Sequence, residues 1–207
     1  MIEFTHRAAL FDLDGVIFDT EPQYSVFWNR VLAKYYPDPA RRTESIKGTT
    51  LFQTYDMLFS GELEKERPIV LEQLNEFERT MPYPYVAGFK DFVTVLREKG
   101  VKTAVVTSSN TAKMQNVYRA HPDFKEYFDA ILIAEDFTES KPSPQCYLLA
   151  AERLGIKTQD CAVFEDSING LKSARAAKMY TIGVTTAHPA EEIKDLSDIQ
   201  IPDFLKK

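Results

Sequence analysis

Residues 8–22 read Ala-Ala-Leu-Phe-Asp-Leu-Asp-Gly-Val-Ile-Phe-Asp-Thr-Glu-Pro and carry the strongest structural signal in the chain. The apolar run Ala8–Phe11 predicts a short buried strand that ends in a glycine turn. Two carboxylates, Asp12 and Asp14, follow directly, and burying either of them without a partner would be costly. Because strand residues alternate between the two faces, both carboxylates are predicted to share one side while Leu13 points into the core. One site at this strand end is therefore expected to use both acids.

The motif Asp-x-Asp-Gly also has two simpler interpretations, a polar turn after a strand or a fragment of a calcium loop. An EF-hand loop would need further oxygen ligands at alternate positions and a glutamate at its twelfth position. Val16, Ile17 and Phe18 are too apolar to ligate a metal. The calcium loop is rejected, whereas the polar turn stays open at this point.

Composition excludes several classes of protein. The 207 residues allow one α/β core with a smaller insertion. With 25 basic and 31 acidic residues the net charge is -6 and no basic stripe is present, so a nucleic-acid partner is not expected. No apolar run reaches the roughly 20 residues of a membrane helix, so no membrane partner is expected.

Cysteine and histidine are sparse. Cys146 and Cys161 are isolated and no signal peptide precedes the first strand, which favours a reduced, cytoplasmic location. His6, His121 and His188 are scattered, so a histidine-based zinc site is not expected. We expect a cytoplasmic monomer.

The block from residue 18 to residue 85 has only helical patterns. Apolar side chains recur at spacings of three and four from Glu21 onward, and Pro37-Asp38-Pro39 is predicted to end this first helix. Residues 43–60 and 64–79 are predicted to be further helices. We therefore predict an all-helical domain, residues 18–85, inserted into a core formed by residues 1–17 and 86–207. The two prolines and the glycine of residues 81–88 predict a linker that returns the chain to the core. This linker is a candidate hinge.

Strand and helix patterns alternate after this linker. Predicted strands are 102–106, 130–134, 161–164, 180–184 and 198–201. Predicted helices are 89–99, 111–120, 145–154, 168–177 and a short acidic one near Ala190. This alternation predicts an α/β fold, a Rossmann-like parallel sheet with helices on both faces. Ligands of such sheets bind at the carboxyl ends of the strands.

Polar residues follow each predicted strand at that edge. They are Asp12 and Asp14, then Thr107-Ser108-Ser109-Asn110, then Lys141-Pro142-Ser143-Pro144, and then Glu165-Asp166-Ser167. Each group alone has a simpler interpretation, as a helix cap, a lysine in a surface turn or an acidic helix start. Acids, hydroxyls at a helix start and one lysine at successive strand ends together suit a phosphate dianion with a divalent cation.

These four groups resemble, in order, the four motifs of the haloacid dehalogenase-like (HAD) phosphatase superfamily, and the likeness covers the whole chain. The extended string from Asp12 to Pro22 is specific at its length, and the fourth motif continues as Phe164-Glu165-Asp166-Ser167-Ile168-Asn169-Gly170. The helical insertion is similar to the small cap of the subgroup that contains β-phosphoglucomutase and many sugar-phosphate phosphatases.

The resemblance implies a role for each motif. Asp12 would attack phosphorus to form an aspartyl-phosphate, and Asp14 would protonate the leaving alcohol and then activate water. Mg²⁺ would be held by the Asp12 carboxylate, the Asp14 carbonyl and the acids Glu165 and Asp166, of which Asp166 is favoured. Thr107, Ser108 and Lys141 would bind the phosphoryl oxygens. Cap residues that would select the substrate are Glu21, Tyr24, Lys47, Thr49 and Gln53.

The implied function is a Mg²⁺-dependent phosphatase for a small, sugar-like phosphate ester. The main alternative is a β-phosphoglucomutase-type mutase, and a binding module without catalysis is a further one. Mutases of the resembled subgroup carry a histidine early in the first cap helix and an arginine after a Lys-Gly pair. Here those neighbourhoods read Glu21-Pro22-Gln23-Tyr24 and Lys47-Gly48-Thr49-Thr50-Leu51, which favours the phosphatase, although Arg41 or Arg42 could replace the arginine. A dehalogenase would need neither the acid at position 14 nor a metal, and a phosphonatase, for which Lys47 is available, ranks low.

Overall fold

The computed structural model describes residues 4–205, and the predicted ends of the core domain, residues 1–3 and 206–207, lie outside them. Six strands form one parallel sheet in the order β3-β2-β1-β4-β5-β6. The strands are β1 Ala8–Phe11, β2 Lys102–Val106, β3 Ala130–Leu132, β4 Cys161–Glu165, β5 Tyr180–Val184 and β6 Ile199–Ile201. The prediction of a Rossmann-like parallel sheet is confirmed. The strand order changes direction between β1 and β4, and a crevice for a ligand opens at such a point.

Helices cover both faces of the sheet. They are α5 Phe89–Glu98, α6 Thr111–Ala120, α7 Gln145–Leu154, α8 Ile168–Ala176 and the short α9 Ala190–Ile193. Strand β1 contributes Ala9 and Phe11 to one hydrophobic cluster and Ala8 and Leu10 to another. All four side chains are fully buried, as expected for a parallel sheet that is covered on both faces.

Four further helices lie between β1 and α5. They are α1 Glu21–Leu32, α2 Pro39–Ser45, α3 Leu51–Leu58 and α4 Arg67–Thr80, with a 3-10 helix at Gly61–Glu66. Their apolar side chains form a third cluster of their own, built on Phe27, Trp28, Leu58 and Val70. Within the described chain this block has no strand, only two isolated bridges from Phe18, one to Asp14 and one to Tyr85. The expected helical cap is present, and its limits at residues 18 and 85 stay a prediction.

The predicted helix over residues 43–60 is wrong, because it is two helices with a loop between them. Gly48 has a φ of 66°, in the left-handed region that ends helices. Thr50 then starts α3 through a capping box, in which its Oγ1 accepts from the Gln53 amide and Gln53 Oε1 accepts from the Thr50 amide. This interruption presents the loop 46–50 to the core.

Two chain segments join the cap to the sheet and run side by side. The Asp19 amide donates to Pro84 O at 2.8 Å, and the Val86 amide donates to Ile17 O at 2.9 Å. Phe18 and Tyr83 are buried in the core cluster, with ring centroids 5.9 Å apart. A hinge at these segments stays a prediction. None of the helices in the described part of the chain is long and apolar enough to cross a membrane.

Candidate active site

One cavity of about 230 Å³ lies between the cap and the carboxyl ends of the strands. It brings together all the site residues that the sequence predicts. From the core these are Asp12, Asp14, Thr107, Ser108, Lys141, Glu165 and Asp166, and from the cap they are Glu21, Tyr24, Lys47, Thr49 and Gln53. A cavity with convergent polar groups, here between the helical cap and the sheet, is the usual place for a small-molecule site.

Asp12 extends β1 by one residue, since its amide donates to Phe164 O of β4 at 3.0 Å. Its Oδ1 accepts a hydrogen bond from Lys141 Nζ at 2.7 Å. Burial raises the pKa of Asp12 to about 7. The Lys141 ammonium lowers this pKa, whereas the negative charges of Glu165 and Asp14 raise it further. A further cation beside Asp12 would therefore favour its ionised, nucleophilic form.

Lys141 is buried, which contradicts the simpler interpretation of a lysine in a surface turn. Its Nζ donates to Asp12 Oδ1, to Glu165 Oε1 at 2.5 Å and to Val106 O at 3.1 Å. Burial lowers the pKa of Lys141, but the carboxylates of Asp12 and Glu165 outweigh this and raise it well above its usual value. Lys141 is therefore a fixed positive charge beside Asp12.

Glu165 and Asp166 have different surroundings, although they are adjacent in the sequence. Glu165 Oε1 accepts from Lys141 Nζ and from the Tyr147 hydroxyl, while its Oε2 accepts from the Ser167 amide and hydroxyl. Asp166 is also buried, but its hydrogen bond is a long one of 3.3 Å from Thr186 Oγ1. Burial and the negative charge of Glu165 and Asp12 raise the pKa of Asp166 well above its usual value.

The donor set fits Mg²⁺, a cation that prefers oxygen ligands. Burial, and to a smaller extent the neighbouring acids at this edge, raise the pKa values of Asp12 and Asp166. A divalent cation bound between them would lower both pKa values and favour the ionised carboxylates. Within residues 4–205 no cluster of three or more His, Cys, Asp or Glu side chains is spaced to hold a metal. The expected ligands include three acids, Asp12, Glu165 and Asp166, but Glu165 already accepts hydrogen bonds at both oxygens. Asp12, Asp166 and the Asp14 carbonyl are the oxygen ligands that remain.

Two glycines keep space for these acids. A Cβ on Gly15, which has a φ of 71°, would overlap the Asp166 carboxylate. A Cβ on Gly170, in α8, would overlap the carboxylate of Glu165. The backbone therefore approaches both carboxylates closely, as only glycine allows.

Asp14 is held by three side chains that the sequence did not single out. Thr20 Oγ1 donates to Asp14 Oδ1 at 2.8 Å, and Ser109 Oγ and Lys113 Nζ donate to Oδ2 at 3.2 and 2.5 Å. Thr20 precedes α1 but makes no side-chain cap there, because its hydroxyl turns to Asp14. The sequence does contain one sign of the role of Lys113. It is a cation in the first turn of a helix, where the helix dipole disfavours positive charge.

The loop after β2 combines the two interpretations that the sequence left open. Asn110 caps α6, since its Oδ1 accepts from the Lys113 amide at 3.0 Å. Thr107 is buried and its Oγ1 accepts from the Ser109 amide, whereas Ser108 is exposed where it lines the cavity. A helix N-terminus and hydroxyls facing one cavity suit an anion.

On the cap side, Lys47 and Thr49 flank Gly48 in the loop between α2 and α3. A Cβ on Gly48 would press into Ser167 of the core and come near His188, so the cap loop rests on the rim of the sheet. Lys47 pairs with Glu44 at 2.7 Å. The Gln53 side chain serves the capping box as well as lining the cavity.

Glu21 and Tyr24 lie on the first two turns of α1. Burial, and next the charge of Asp14, raise the pKa of Glu21 to about 7. The Tyr24 hydroxyl donates a hydrogen bond to Glu78 Oε1 of α4 at 2.7 Å. Arg41 and Arg42 are exposed on α2 and lie outside the cavity, so they do not replace the missing arginine here.

The chain matches a family of hydrolases and is similar to a phosphatase and a mutase. The model of a family described as haloacid dehalogenase-like hydrolase matches residues 6–178. Hexitol phosphatase B of Escherichia coli (strain K12) is 29% identical over 212 residues, covering 94% of this chain and 90% of that protein. Beta-phosphoglucomutase of Bacillus subtilis (strain 168) is 26% identical over 196 residues, with coverage of 88% and 85%.

Solved structures share the fold. The crystal structure of a HAD hydrolase, family IA, variant 3, from Entamoeba histolytica HM-1:IMSS superimposes with a TM-score of 0.82 at 22% identity. The superposition covers 96% of this chain and 93% of that one.

Proposed function

Because the chain belongs to the family of haloacid dehalogenase-like hydrolases, we propose that it is a Mg²⁺-dependent phosphatase that hydrolyses a small phosphorylated sugar or polyol through an aspartyl-phosphate. The observation that carries the proposal is that Asp12 and Asp14, which follow β1, meet Lys141, which precedes α7, in one cavity. The similarity to hexitol phosphatase B supports the choice of substrate class. A monomer stays a prediction.

In the first half-reaction an oxygen of the Asp12 carboxylate bonds to phosphorus while the bond from phosphorus to the ester oxygen breaks. Asp14 gives its proton to the departing oxygen, so the product leaves as an alcohol. In the second half-reaction Asp14 takes a proton from water as the water oxygen attacks phosphorus. Phosphate departs and the Asp12 carboxylate is restored.

Charge in the site supports this chemistry. The ammonium of Lys141, the hydroxyls of Thr107 and Ser108 and the N-terminus of α6 would bind the phosphoryl oxygens. Asp12, the Asp14 carbonyl and Asp166 would hold Mg²⁺, which when bound supplies positive charge beside the phosphoryl group. We assign Glu165 to holding Lys141, because both of its oxygens already accept hydrogen bonds from protein groups.

A β-phosphoglucomutase-type mutase is the second candidate, favoured by the similarity to the Bacillus subtilis enzyme. A mutase must hold a second phosphate while the first is transferred, for which a bidentate guanidinium is well suited. The cations among the described residues that line the cavity are Lys47, Lys113 and Lys141, and no arginine lines it. Lys47 and Lys113 already pair with carboxylates. Hydrolysis is therefore the better supported activity.

The test is a panel of phosphorylated metabolites with and without Mg²⁺, in which phosphate release is measured. A separate incubation with β-glucose 1-phosphate, Mg²⁺ and a trace of the bisphosphate follows glucose 6-phosphate and free phosphate separately. We expect phosphate release that requires Mg²⁺, without isomerisation. Isomerisation much faster than phosphate release would assign the mutase, and no release from any ester would favour a binding module.

A further inference from the structure

Lys113 occupies a position that is unfavourable for a lysine. It is the third residue of α6, where the helix dipole disfavours a cation, and its side chain is 8% exposed. Lysines usually keep the ammonium in water even where their aliphatic part is buried. Because a buried charge without partners is costly, the ammonium must be held by specific partners.

Those partners come from both domains. The ammonium of Lys113 donates to Asp14 Oδ2 at 2.5 Å on the core side. On the cap side it lies 4.7 Å from the ring centroid of Tyr24 and 4.0 Å from Glu78 Oε1. Tyr24 and Glu78 are themselves joined by a hydrogen bond of 2.7 Å between α1 and α4. Lys113 therefore links the orientation of Asp14 to the position of the cap.

The contacts of Asp14 show what this link controls. Thr20 holds Oδ1, and Lys113 and Ser109 share Oδ2, so the plane of the carboxylate is fixed from both ends. Proton transfer requires a carboxylate placed within hydrogen-bond reach of the reacting oxygen. Of the three donors Lys113 alone is charged, and it makes the shortest contact.

We propose that Lys113 is a positioning residue for Asp14, which it holds in the orientation for proton transfer when the cap rests on the core. The inference rests on the proposed function, in which Asp14 is the acid and base. Lys113 itself keeps its protons throughout and only donates a hydrogen bond. The proton that reaches the leaving oxygen comes from Asp14.

The test compares the single-turnover phosphorylation of the enzyme by phenyl phosphate and by p-nitrophenyl phosphate, whose leaving group is more acidic and needs less protonation. We expect Lys113→Met to slow the reaction with phenyl phosphate at least about tenfold more than the reaction with p-nitrophenyl phosphate. This difference is smaller than the whole effect of general acid catalysis, because Asp14 itself is still present. In an Asp14→Asn background the same substitution should add less than about a threefold loss, because its effect passes through Asp14.

Lys125→Met is the matched control, because Lys125 also lies over a tyrosine ring, that of Tyr118 at 4.0 Å, but on the exposed surface. It should leave both rates unchanged. Thermal unfolding checks that the variants are folded. If Lys113→Met is not folded, Lys113→Gln replaces it, because glutamine keeps a hydrogen-bond donor without the charge.

Equal losses with the two esters, or losses that multiply in the double variant, would make Lys113 a purely structural residue. If Asp14→Asn shows the dependence on leaving group and Lys113→Met does not, this inference fails while the proposed function stands. If the wild-type protein releases no phosphate, or Asp14→Asn shows no such dependence, the acid role of Asp14 falls and the inference falls with it.

Discussion

The ammonium of Lys141 donates a hydrogen bond to Asp12 Oδ1 over 2.7 Å, although the two residues are 129 positions apart in the sequence. The same ammonium reaches Glu165 Oε1, so one cation offsets two buried carboxylates. Because burial raises the pKa of Asp12 to about 7 even in the presence of Lys141, the nucleophile depends on positive charge at this edge of the sheet.

Asp12→Asn should abolish turnover, since it removes both the nucleophile and a proposed ligand of Mg²⁺. We expect kcat for phosphate release to fall more than about 100-fold, which corresponds to roughly 3 kcal/mol of transition-state stabilisation. Asp19→Asn is the matched control, because Asp19 is exposed and outside the cavity. An Asp12→Asn enzyme that keeps more than about a hundredth of its turnover would argue against a covalent intermediate on this residue.

Lys141→Met should destabilise the fold, because it leaves Asp12 and Glu165 buried without a cation. Breaking a buried ion pair in this way costs about 3–5 kcal/mol. The free energy of unfolding is measured by urea denaturation at pH 8 with chelator present. Lys102→Met is the control, since Lys102 pairs with Asp129 at 2.8 Å on the surface with 51% of its side chain exposed, and it should cost less than about 1 kcal/mol. Similar losses for the two variants would contradict the central role of Lys141.

The parallel sheet and the edge that carries the acids could be predicted because they are local patterns. Short apolar runs closed by polar residues give the strands, and parallel strands must bring their carboxyl ends to one edge. The break within residues 43–60 was missed, because it depends on two backbone features, the left-handed Gly48 and the capping box of Thr50 and Gln53. Helical spacing continues through a loop this short and hides it.

The partners of Asp14 could not be predicted, because they depend on tertiary contacts. Ser109 and Lys113 lie 95 and 99 positions from Asp14. The serine looks like an ordinary residue of a helix start, and the unfavourable place of the lysine in the first turn does not name its partner. The sequence favours Asp166 over Glu165 as a metal ligand only through the resemblance, for the same reason. The structural difference between the two acids comes from Tyr147 and Lys141, which are distant in sequence and donate hydrogen bonds to Glu165 Oε1.

Gly48→Ala should impair catalysis by keeping the cap off the core, because the new Cβ would press into Ser167. Gly61→Ala is a close control, since Gly61 is also in the cap and has a φ of 61°, but no atom lies within 4 Å of its Cβ position. Both variants should lose about 1 kcal/mol of stability through backbone strain. Only Gly48→Ala should lower kcat/KM.

Cap closure can be followed directly by small-angle scattering with and without a phosphate mimic and Mg²⁺. We expect the wild-type protein and Gly61→Ala to become more compact when both are added, and Gly48→Ala to respond less. Equal kinetic effects of the two substitutions, or identical scattering of the wild-type protein under both conditions, would count against closure of the cap as part of catalysis.

Glu21→Gln should stabilise the metal-free protein at high pH and leave it nearly unchanged at low pH. Burial, and next the charge of Asp14, raise the pKa of Glu21 from 4.5 to about 7 in the folded protein. Below pH 4.5 the carboxyl is protonated in the folded and the unfolded chain alike. As the pH rises, the unfolded chain ionises first, so wild-type stability falls between about pH 4.5 and 7 and the full penalty is present above pH 7.

A pKa shift of this size corresponds to about 3 kcal/mol of unfolding free energy that Glu21→Gln would restore at high pH. The substitution also removes an acid from the N-terminus of α1, which offsets up to about 1 kcal/mol of this gain. The measurement is the difference in unfolding free energy between Glu21→Gln and the wild-type protein, by urea denaturation with chelator at several pH values from 4 to 9. Glu62→Gln, at an exposed position of the cap, should show no such trend. A difference for Glu21→Gln that does not grow between pH 5 and pH 8 would mean that Glu21 is already ionised in the cavity, and that Lys47 and Lys113 hold its charge.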